Sequence, residues 1–294
     1  MGKLLENSNK VIVLDNLITG DKKNIDKFMG NTNFEFIEHD IQESIYIDEK
    51  LDHIIHLASC ASPKAYSQYP INTLKSGSIG TINALGIAKK HNAKFFLAST
   101  SEVYGDPQVS PQNENYWGNV NTLGPRSMYD ESKRFAESAT KAYMTTHGIH
   151  ASIARIFNTY GPNMQIDDGR VVTNFIYQAL KCEDITIYGT GHQTRSFSFI
   201  EDTLEGLLKV INYKKSDVFN IGSENEITVK HLAETIISLT NSNSKIVYHE
   251  IPEDDPKQRK PDLTKAKKKL NYKPKYSLEE GLKITIDWII KTYK

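Results

Sequence analysis

An α/β fold with a doubly wound parallel sheet is the architecture that this sequence predicts. Short apolar runs end in polar or acidic residues at Asp15, Ser59 and Thr100, and helical patterns or polar loops separate them. Such alternation is typical of parallel sheets with helices on both faces. Ligands of these sheets bind beyond the carboxyl ends of the strands, so the polar residues there are the first site candidates.

The first predicted strand is a short apolar run that ends in Asp15, and Asn16, Thr19 and Gly20 follow it. In a dinucleotide-binding unit, an acid at the end of the second strand binds the ribose hydroxyls, and the lack of an arginine after it favours NAD over NADP. The glycine-rich turn of such a unit ends about 20 residues earlier, but Gly2 is the only glycine before this acid. We therefore expect the sequence to begin inside the unit's first helix, and the chain as given to bind NAD poorly and to be marginally stable.

Two further strands and a long helix are predicted before residue 92. Residues 34–39 alternate between apolar and polar side chains, and residues 52–57 form an apolar run; both patterns are typical of strands. Residues 71–91 have the pattern of one long helix. Its small residues recur at three- and four-residue steps, so we expect another element to pack closely against it.

The groups best suited to acid–base chemistry follow. An apolar run at 95–98 predicts a buried strand, with Thr100 and Glu102 just past its carboxyl end. On the next predicted helix, a four-residue step places Tyr129 and Lys133 on one face. An ammonium group within one turn favours the phenolate and lowers the pKa of a tyrosine. The spacing therefore predicts that Tyr129 removes a proton from a hydroxyl group.

Shorter elements make up the second half of the chain. A strong strand at 151–156 closes the nucleotide-binding half. The elements predicted after it are helices 171–182, 201–212 and 228–240 and strands 185–188, 195–199 and 217–221. A capping-box sequence at 277–280 opens the last helix. We divide the chain into a Rossmann-like nucleotide-binding domain, 1–160, and a smaller substrate-binding part, 161–294, interleaved with it.

Two arginines of the second half, Arg195 and Arg259, lie in polar sequence that predicts loops. A planar guanidinium group offers paired donors to the oxygens of a diphosphate or a carboxylate. By default a loop arginine is a solvated surface group, but these two are candidates for binding an anionic substrate.

The composition argues against several other classes of protein. Basic and acidic residues balance at 36 each, with a pI near 7.1, which does not favour nucleic acid or an anionic membrane as a partner. The two cysteines, Cys60 and Cys182, make no disulfide framework and no metal-ligand spacing. No apolar run approaches the roughly 20 residues of a membrane span, and no signal sequence is visible. We expect a cytoplasmic protein without a metal.

Three motifs in combination resemble the extended short-chain dehydrogenase/reductases that act on nucleotide sugars, the NAD-dependent epimerase/dehydratase family. They are Thr-Ser-Glu-Val-Tyr-Gly-Asp-Pro from Thr100, Tyr-x-x-x-Lys from Tyr129 and Arg-Ile-Phe-Asn-Thr-Tyr-Gly-Pro from Arg155. Within this family the chain is most similar to the UDP-glucuronate decarboxylases, or UDP-xylose synthases, with further matches at 167–172 and 259–262. The resemblance extends from the first residues to about residue 280.

The resemblance implies a fold, a cofactor, partners and site residues. It implies a Rossmann-like sheet with its first strand truncated, NAD as the cofactor, a UDP-sugar substrate, and a homodimer formed through helices 71–91 and 127–147. The residues that it assigns to catalysis are Tyr129, Lys133, Thr100, Glu102 and Arg259. Those that it assigns to the cofactor are Asp15, Asn16, Thr19, Gly20, Asp40, Ile41, Leu57 and Ser59, together with Tyr129 and Lys133. Those that it assigns to the substrate are Lys75, Asn158, Tyr160, Arg170, Arg195 and Arg259.

The implied reaction is the NAD-dependent decarboxylation of UDP-glucuronate to UDP-xylose through a 4-keto sugar. Tyr129 would act as the base, and Glu102 would lie near C5 and shape the sugar or its reprotonation through water. A 4-epimerase or a 4,6-dehydratase is a first alternative, although dehydratases usually carry Asp-Glu after the threonine and epimerases usually lack the glutamate. This chain has Ser101 and Glu102 there. A non-catalytic remnant that dimerises or binds a UDP-sugar is a second alternative, because the glycine-rich loop is missing.

Overall fold

The computed structural model describes residues 1–251 and 253–293, and its first half alternates strands and helices. These elements are α1 (Gly2–Glu6), β1 (Val11–Asp15), α2 (Lys23–Asp26), β2 (Phe34–Glu38), β3 (His53–His56), α3 (Pro63–Gln68), α4 (Pro70–Lys75), a π-helical turn (Ser76–Gly80), α5 (Thr81–His91), β4 (Lys94–Thr100), a 3₁₀ turn (Ser101–Tyr104), α6 (Ser127–His147) and β5 (Ala151–Ile156). The predicted strands are present within a residue or two of their expected ends. The predicted helix 71–91 is instead two α-helices joined by the π-helical turn.

The second half contains shorter elements, several of which the sequence did not predict. They are β6 (Thr159–Tyr160), α7 (Val171–Leu180), β7 (Ile185–Tyr188), β8 (Thr194–Ser196), β9 (Ser198–Phe199), α8 (Ile200–Ile211), β10 (Asp217–Ile221), β11 (Glu226–Thr228), α9 (Val229–Thr240), β12 (Ile246–His249), β13 (Gln258–Arg259), α10 (Thr264–Leu270) and α11 (Leu278–Tyr293). The predicted strand 195–199 is two strands, β8 and β9, which belong to different sheets.

The central sheet is parallel and has the order β10-β5-β4-β3. Strands β1 and β2 form a separate parallel pair. Among the residues that the structure describes, β1 has no strand partner on its other edge, and neither does β3. Strand β10 comes from the second half of the chain and pairs with β5, so the two halves share one sheet.

The side chains of β4 alternate between two cores, which is why this strand is buried along most of its length. Phe95 and Leu97 pack with α5 and α6 on one face of the sheet. Phe96 and Ala98 pack with α8, β10 and α10 on the other. The period of two is that of an extended strand with both faces covered. Strand β4 continues through Thr100, so that residue is the last of the strand and not the first beyond it.

The π-helical turn lies against α6 without a gap because glycines line the contact. A Cβ on Gly77 would lie 2.5 Å from the Cβ of Ser132 on α6, closer than two side chains can approach. On the other side, a Cβ on Gly80 would lie 2.7 Å from Ile41. These two glycines let the turn pack between the end of β2 and the helix that carries Tyr129 and Lys133.

Candidate active site

The carboxyl end of β4 turns directly into the candidate site. The Thr100 hydroxyl accepts a hydrogen bond from the Glu102 backbone N–H at 3.3 Å and so caps the 3₁₀ turn. This cap reverses the chain at the sheet edge and brings Ser101 and Glu102 towards α6 and β13. The short turn was not predicted, but it determines where the Glu102 carboxylate lies.

Tyr129 and Lys133 lie on one face of α6, as their spacing predicted. Both side chains are buried, and the Lys133 Nζ lies 5.9 Å from the centre of the Tyr129 ring. The Lys133 ammonium donates a hydrogen bond to the backbone oxygen of Ala98 in β4 at 2.9 Å. The Tyr129 ring stacks on Tyr66 of α3, with ring centres 5.3 Å apart and planes within 13°. Strand β4 and helix α3 therefore fix both catalytic candidates.

The expected lowering of the Tyr129 pKa is not what this structure gives. Burial raises the pKa of Tyr129 well above that of a free tyrosine, and a hydrogen bond with Thr100 offsets only part of that rise. Burial also lowers the pKa of Lys133 to about 8, so its ammonium charge is still favoured at pH 7. The prediction overlooked desolvation, which is here the largest influence on the pKa of each group.

The Glu102 carboxylate is held by two arginines. Oε1 accepts a hydrogen bond from Arg259 Nη1 at 2.6 Å, and Oε2 accepts one from Arg126 Nη2 at 2.5 Å. Arg259, only 2% exposed, also donates to the Ser101 hydroxyl and to the backbone oxygen of Gly105, each at 2.9 Å. Burial opposes ionisation of Glu102, but the two guanidinium charges prevail and lower its pKa to about 2. Glu102 is therefore a carboxylate across the neutral range.

A second acid extends this cluster to Arg195. The Arg195 Nη2 donates a hydrogen bond to Asp255 at 3.0 Å, and Arg126 lies 3.8 Å from the same carboxylate. Arg195 in β8 and Arg259 in β13 are register partners on neighbouring parallel strands. Arg259 therefore lies in a short strand and not in the predicted loop. Arg195, whose polar context suggested a loop although it also began the predicted strand 195–199, lies in a strand too. Guanidinium groups of this kind offer paired donors to the oxygens of an anionic ligand.

The residues assigned to the cofactor gather at the carboxyl ends of β1, β2 and β3. Asn16 donates a hydrogen bond to the Asp40 carboxylate at 3.0 Å, and the Asp15 carboxylate, which accepts one from a backbone N–H, is exposed. Leu57 is 58% exposed just beyond β3. The hydroxyl of Ser59 is buried and has no hydrogen-bond partner among the residues described.

Three other cofactor candidates lie near this edge. The Thr19 backbone oxygen accepts a hydrogen bond from Gln165 at 2.7 Å, which links the loop after β1 to the second half of the chain. Gly20 lies beside Asp15, because a Cβ there would be 3.4 Å from its Oδ1. Ile41 packs on Gly80 of the π-helical turn. Their assignment to a cofactor remains a prediction.

The residues assigned to the substrate do not all gather at one place. Arg170 precedes α7, with its Nη1 3.4 Å from the Asp168 carboxylate, and its charge acts on Tyr129. Asn158 follows β5, and its backbone oxygen accepts from Ser198 at 2.9 Å. Lys75 is exposed at the end of α4, with no hydrogen bond to the other candidates in the described part of the chain.

Tyr160 occupies a core position instead of a ligand-facing one. Its side chain is 2% exposed, its hydroxyl donates to the Leu278 backbone oxygen at 3.1 Å, and its ring packs against Phe199. The only polar group of this side chain therefore has a structural partner. We assign Tyr160 to the packing of α11 against the second half of the chain.

Sequence reasoning missed Arg126, Asp255 and Tyr66. Arg126 stands immediately before α6, and a charged residue before a helix gives no sign of a partner 24 positions away. Asp255 lies in a run of acidic residues that resembles an ordinary solvated loop. Tyr66 carried no signal beyond its apolar ring. Tertiary contacts between distant segments determine all three roles.

Two further properties bear on the kind of site present. Across residues 1–251 and 253–293, no three His, Cys, Asp or Glu side chains are arranged to hold a metal ion. In the same ranges, no helix combines the length and the apolar character that crossing a membrane requires.

Sequence comparisons place the chain among nucleotide-sugar enzymes. The family model described as GDP-mannose 4,6 dehydratase matches residues 1–285. UDP-glucuronic acid decarboxylase 1 of Danio rerio is 49% identical over 286 residues, covering 97% of this chain and 68% of that protein. UDP-glucuronic acid decarboxylase 5 of Arabidopsis thaliana is 51% identical over 281 residues, covering 95% of this chain and 82% of that protein.

Solved structures agree with this placement. UDP-glucose 4-epimerase of Thermotoga maritima, solved with UDP-glucose, superposes with a TM-score of 0.92 at 29% identity, over 100% of this chain and 94% of that one. UDP-glucuronic acid 4-epimerase of Bacillus cereus, solved with UDP-glucuronic acid and NAD, gives 0.89 at 26% identity, over 99% and 95%. The chain therefore belongs to the NAD-dependent epimerase/dehydratase family of extended short-chain dehydrogenase/reductases and, within it, to the UDP-glucuronic acid decarboxylases.

Proposed function

We propose that this protein converts UDP-glucuronate to UDP-xylose and carbon dioxide, with NAD regenerated in each turnover. The observation that carries the proposal is the Glu102 carboxylate, which is only 15% exposed and is held between Arg126 and Arg259 next to Tyr129. Relatives that are about half identical to this chain carry the corresponding name, and Arg195 and Arg259 offer paired donors of the kind that phosphate and carboxylate oxygens accept.

The chain's own residues supply binding and proton transfer. Tyr129 removes the proton of the C4 hydroxyl group, and Lys133 and Thr100 orient it. Arg195 and Arg259 bind anionic oxygens of the substrate. Once C4 is a ketone, the C6 carboxylate lies beta to it, and carbon dioxide leaves because the electrons of the C5–C6 bond can delocalise onto the C4 oxygen.

Apart from the glycine-rich turn, for which Gly2 is the only glycine before Asp15, the residues present fit NAD as the cofactor. Asp15 presents an exposed carboxylate for ribose hydroxyls, and the buried, unpartnered hydroxyl of Ser59 lies after β3, at the edge where a dinucleotide runs in such sheets. The chemistry that bound NAD⁺ would supply is the acceptance of a hydride from C4 and its later return. The positive charge of NAD⁺ would also lower the pKa of Tyr129, which burial alone raises.

A product analysis tests this function. UDP-glucuronate labelled in its carboxyl group, supplied with excess NAD, should lose the label as carbon dioxide and yield UDP-xylose. UDP-galacturonate with the label retained would indicate a 4-epimerase. Binding of UDP-glucuronate without any conversion would indicate a non-catalytic sugar-nucleotide-binding protein.

We also propose a homodimer through α4, the π-helical turn, α5 and α6. These adjacent helices expose several apolar side chains to solvent. They are Ile71, Leu74, Ile79, Ile82 and Phe135, which are between 37% and 60% exposed. A two-fold axis would pair this surface with itself, which is the commonest way to bury such a face. The division into 1–160 and 161–294 and the cytoplasmic location likewise remain our proposals.

Light scattering tests the dimer. The protein should have twice the chain mass of 33.3 kDa at micromolar concentration, and Ile79→Glu should shift it to the monomer. Leu123→Glu is the matched control, since Leu123 is apolar and 94% exposed but lies outside these helices. A wild-type mass of one chain would contradict the proposal.

A further inference from the structure

A cavity of about 230 Å³ borders Glu102. We call it the Glu102 cavity. Its lining includes the charged and polar side chains of Glu102, Asp106, Asn121, Arg126, Asp130 and Asp254. The cavity is polar and has room for several water molecules. Neither Tyr129 nor Lys133 lines it, so it reaches the Glu102 side of the site rather than the tyrosine.

Among the residues that line this cavity, Asp130 is the one to which the proposed reaction has not yet given a role. It follows Tyr129 on α6, and successive helical residues point about 100° apart, so the two side chains face different ways. Asp130 is only 7% exposed, yet within residues 1–251 and 253–293 its Oδ1 has no hydrogen-bond partner. A buried carboxyl group without a partner is costly, and water in the cavity is the partner that the geometry leaves for it.

Burial is the main factor that favours the protonated form of Asp130. Burial raises the pKa of Asp130 to about 7, and the Glu102 carboxylate adds to the rise while Arg126 and Arg259 reduce it. The titratable and charged groups around it are Glu102, Arg126, Arg259, Glu131, Tyr66 and Tyr129, together with Asp106 and Asp254, which line the same cavity. When surroundings drive the pKa values of two neighbouring carboxyl groups apart, one remains ionised and the other can donate a proton near neutral pH.

The reaction needs such a donor. After carbon dioxide leaves, C5 must gain a proton, and the sequence suggested that Glu102 could supply it through water. Glu102 cannot hold a proton near neutral pH, because two arginines keep it ionised. Tyr129 and Lys133 are committed to the oxygen on C4. Asp106 and Asp254 also line the cavity, but they accept hydrogen bonds from the Lys257 backbone N–H and from Asn121. Asp130 is the buried acid of this cavity whose Oδ1 has no partner among the described residues.

We propose that Asp130 is the acid that returns a proton to C5 of the sugar, acting through water in the Glu102 cavity. The electrons of the broken C5–C6 bond remain on the sugar as an enolate. A water molecule gives its proton to C5, a C5–H bond forms, and Asp130 gives its own proton to that water and becomes a carboxylate. Bulk solvent then reprotonates Asp130. This assignment rests on the proposed function.

Two measurements on matched variants test it. The first is the pH profile of kcat for wild type, Asp130→Asn and Asp130→Glu, with Glu131→Gln as the control because Glu131 is the neighbouring acid on α6 and lies outside the cavity. The second is an infrared titration of the protein without nucleotides, which detects a protonated carboxyl group directly. Asp130→Asn removes that group at almost constant side-chain volume.

The proposal gives definite expectations. Wild-type kcat should fall as the pH rises through about 7. Asp130→Asn should lower kcat about tenfold or more with KM little changed, and its kcat should no longer fall as the pH rises through this range. Asp130→Glu and Glu131→Gln should keep this fall in kcat. A carboxyl band that titrates near neutral pH should be present in the wild type and absent from Asp130→Asn.

Other outcomes would overturn it. They are a wild-type rate and pH profile in Asp130→Asn, or no carboxyl band that titrates near neutral pH in the wild type. If Asp130→Asn does not fold, the proposal is tested by the infrared titration of the wild type and by the pH dependence of kcat in Asp130→Glu. A wild type that releases no carbon dioxide from UDP-glucuronate would instead overturn the proposed function, and this assignment with it.

Discussion

Glu102 and Asp130 are two carboxyl groups beside one cavity, and their surroundings separate their protonation states. Arg259 and Arg126 form hydrogen bonds with Glu102 and lower its pKa to about 2. Asp130 has no such bond to its Oδ1, and burial raises its pKa to about 7. The difference between the two groups therefore comes from their hydrogen-bond partners more than from their burial. Glu102 keeps its charge and holds the arginines, whereas Asp130 carries a proton that it can transfer.

Removing the Tyr129 hydroxyl tests the base. Tyr129→Phe should lower kcat by about 10²–10⁴, the usual contribution of a positioned general base, and should preserve the ring stack on Tyr66. Tyr143→Phe is the control, because it makes the same change on the same helix, where Tyr143 packs edge-on against His147. Equal rates for both variants, measured as carbon dioxide release, would contradict the role of Tyr129.

Neutralising Glu102 tests the ion-pair cluster through stability. Breaking a buried pair and leaving its partners costs about 3–5 kcal/mol, so Glu102→Gln should unfold at lower denaturant concentration. The folded pKa of about 2 lies below the unfolded value of about 4.3. The ionic contribution is therefore complete above the unfolded pKa and is lost as the pH falls towards 2.

The difference in unfolding free energy between wild type and Glu102→Gln should shrink over that acidic range. Glu131→Gln is the control, since Glu131 is partly exposed and lies 3.6 Å from Arg134, where a surface pair contributes at most about 1 kcal/mol. A difference that does not vary with pH would show that Glu102 is not held as a charge.

At the residue scale, the sequence could predict those site members whose relation is local. Tyr129 and Lys133 are one helical turn apart, so a spacing rule places them together. The partners of Arg259 are Ser101 and Glu102, more than 150 positions away. The unpartnered Oδ1 of Asp130 depends on which loops close over α6, and a linear pattern does not contain that information.

At the scale of elements, the contact of the π-helical turn with α6 sets the position of the catalytic helix. Gly77→Ala should force the two apart, because the new Cβ would lie 2.5 Å from the Ser132 Cβ and 2.9 Å from its backbone oxygen. Overpacking of this kind costs about 1–3 kcal/mol. We expect a lower melting temperature and a lower kcat, because Lys133 follows Ser132 on α6.

Gly86→Ala is the matched control for that variant. Gly86 lies on α5, the helix that continues the π-helical turn, and a Cβ there would meet nothing within 4 Å. Alanine favours a helix over glycine by up to about 1 kcal/mol, so this protein should be as stable as the wild type or more so. If Gly77→Ala and Gly86→Ala have the same melting temperature, the close approach of the π-helical turn to α6 does not depend on Gly77.

The main elements could be predicted because each has its own pattern. Strands β1, β5, β7 and β10 lie where the apolar runs placed them. One predicted strand, 195–199, covers β8 and β9 without separating them, and β13 was not predicted. Strands of two or three residues are too short to show a period, so their partners define them. The π-helical turn was missed because its residues suit a regular helix, and only packing against α6 and Ile41 reveals the difference.

At the scale of the whole molecule, the chain has three large cores, and the site lies where two of them meet the loops. Two cores cover the faces of the β10-β5-β4-β3 sheet, and the third fills the second half of the chain. The class of fold could be predicted from alternating strands and helices. Composition and spacing could not predict that β10 pairs with β5. This pairing joins the two halves of the chain into one sheet.

The site itself combines segments from the whole chain length. Glu102 comes from the loop after β4, Arg126 from the start of α6, and Arg195, Asp255 and Arg259 from the second half. An anionic substrate that bridges these segments should stabilise the whole fold and not one domain.

The fate of the substrate carboxyl group tests the central claim most directly. The protein is incubated with UDP-glucuronate labelled at C6 and with excess NAD, and both the released gas and the sugar nucleotides are analysed. The account predicts that the label leaves as carbon dioxide in equal amount to UDP-xylose formed, with no net reduction of NAD. Label that remains in the sugar nucleotide, as in UDP-galacturonate or in unchanged UDP-glucuronate, would contradict it.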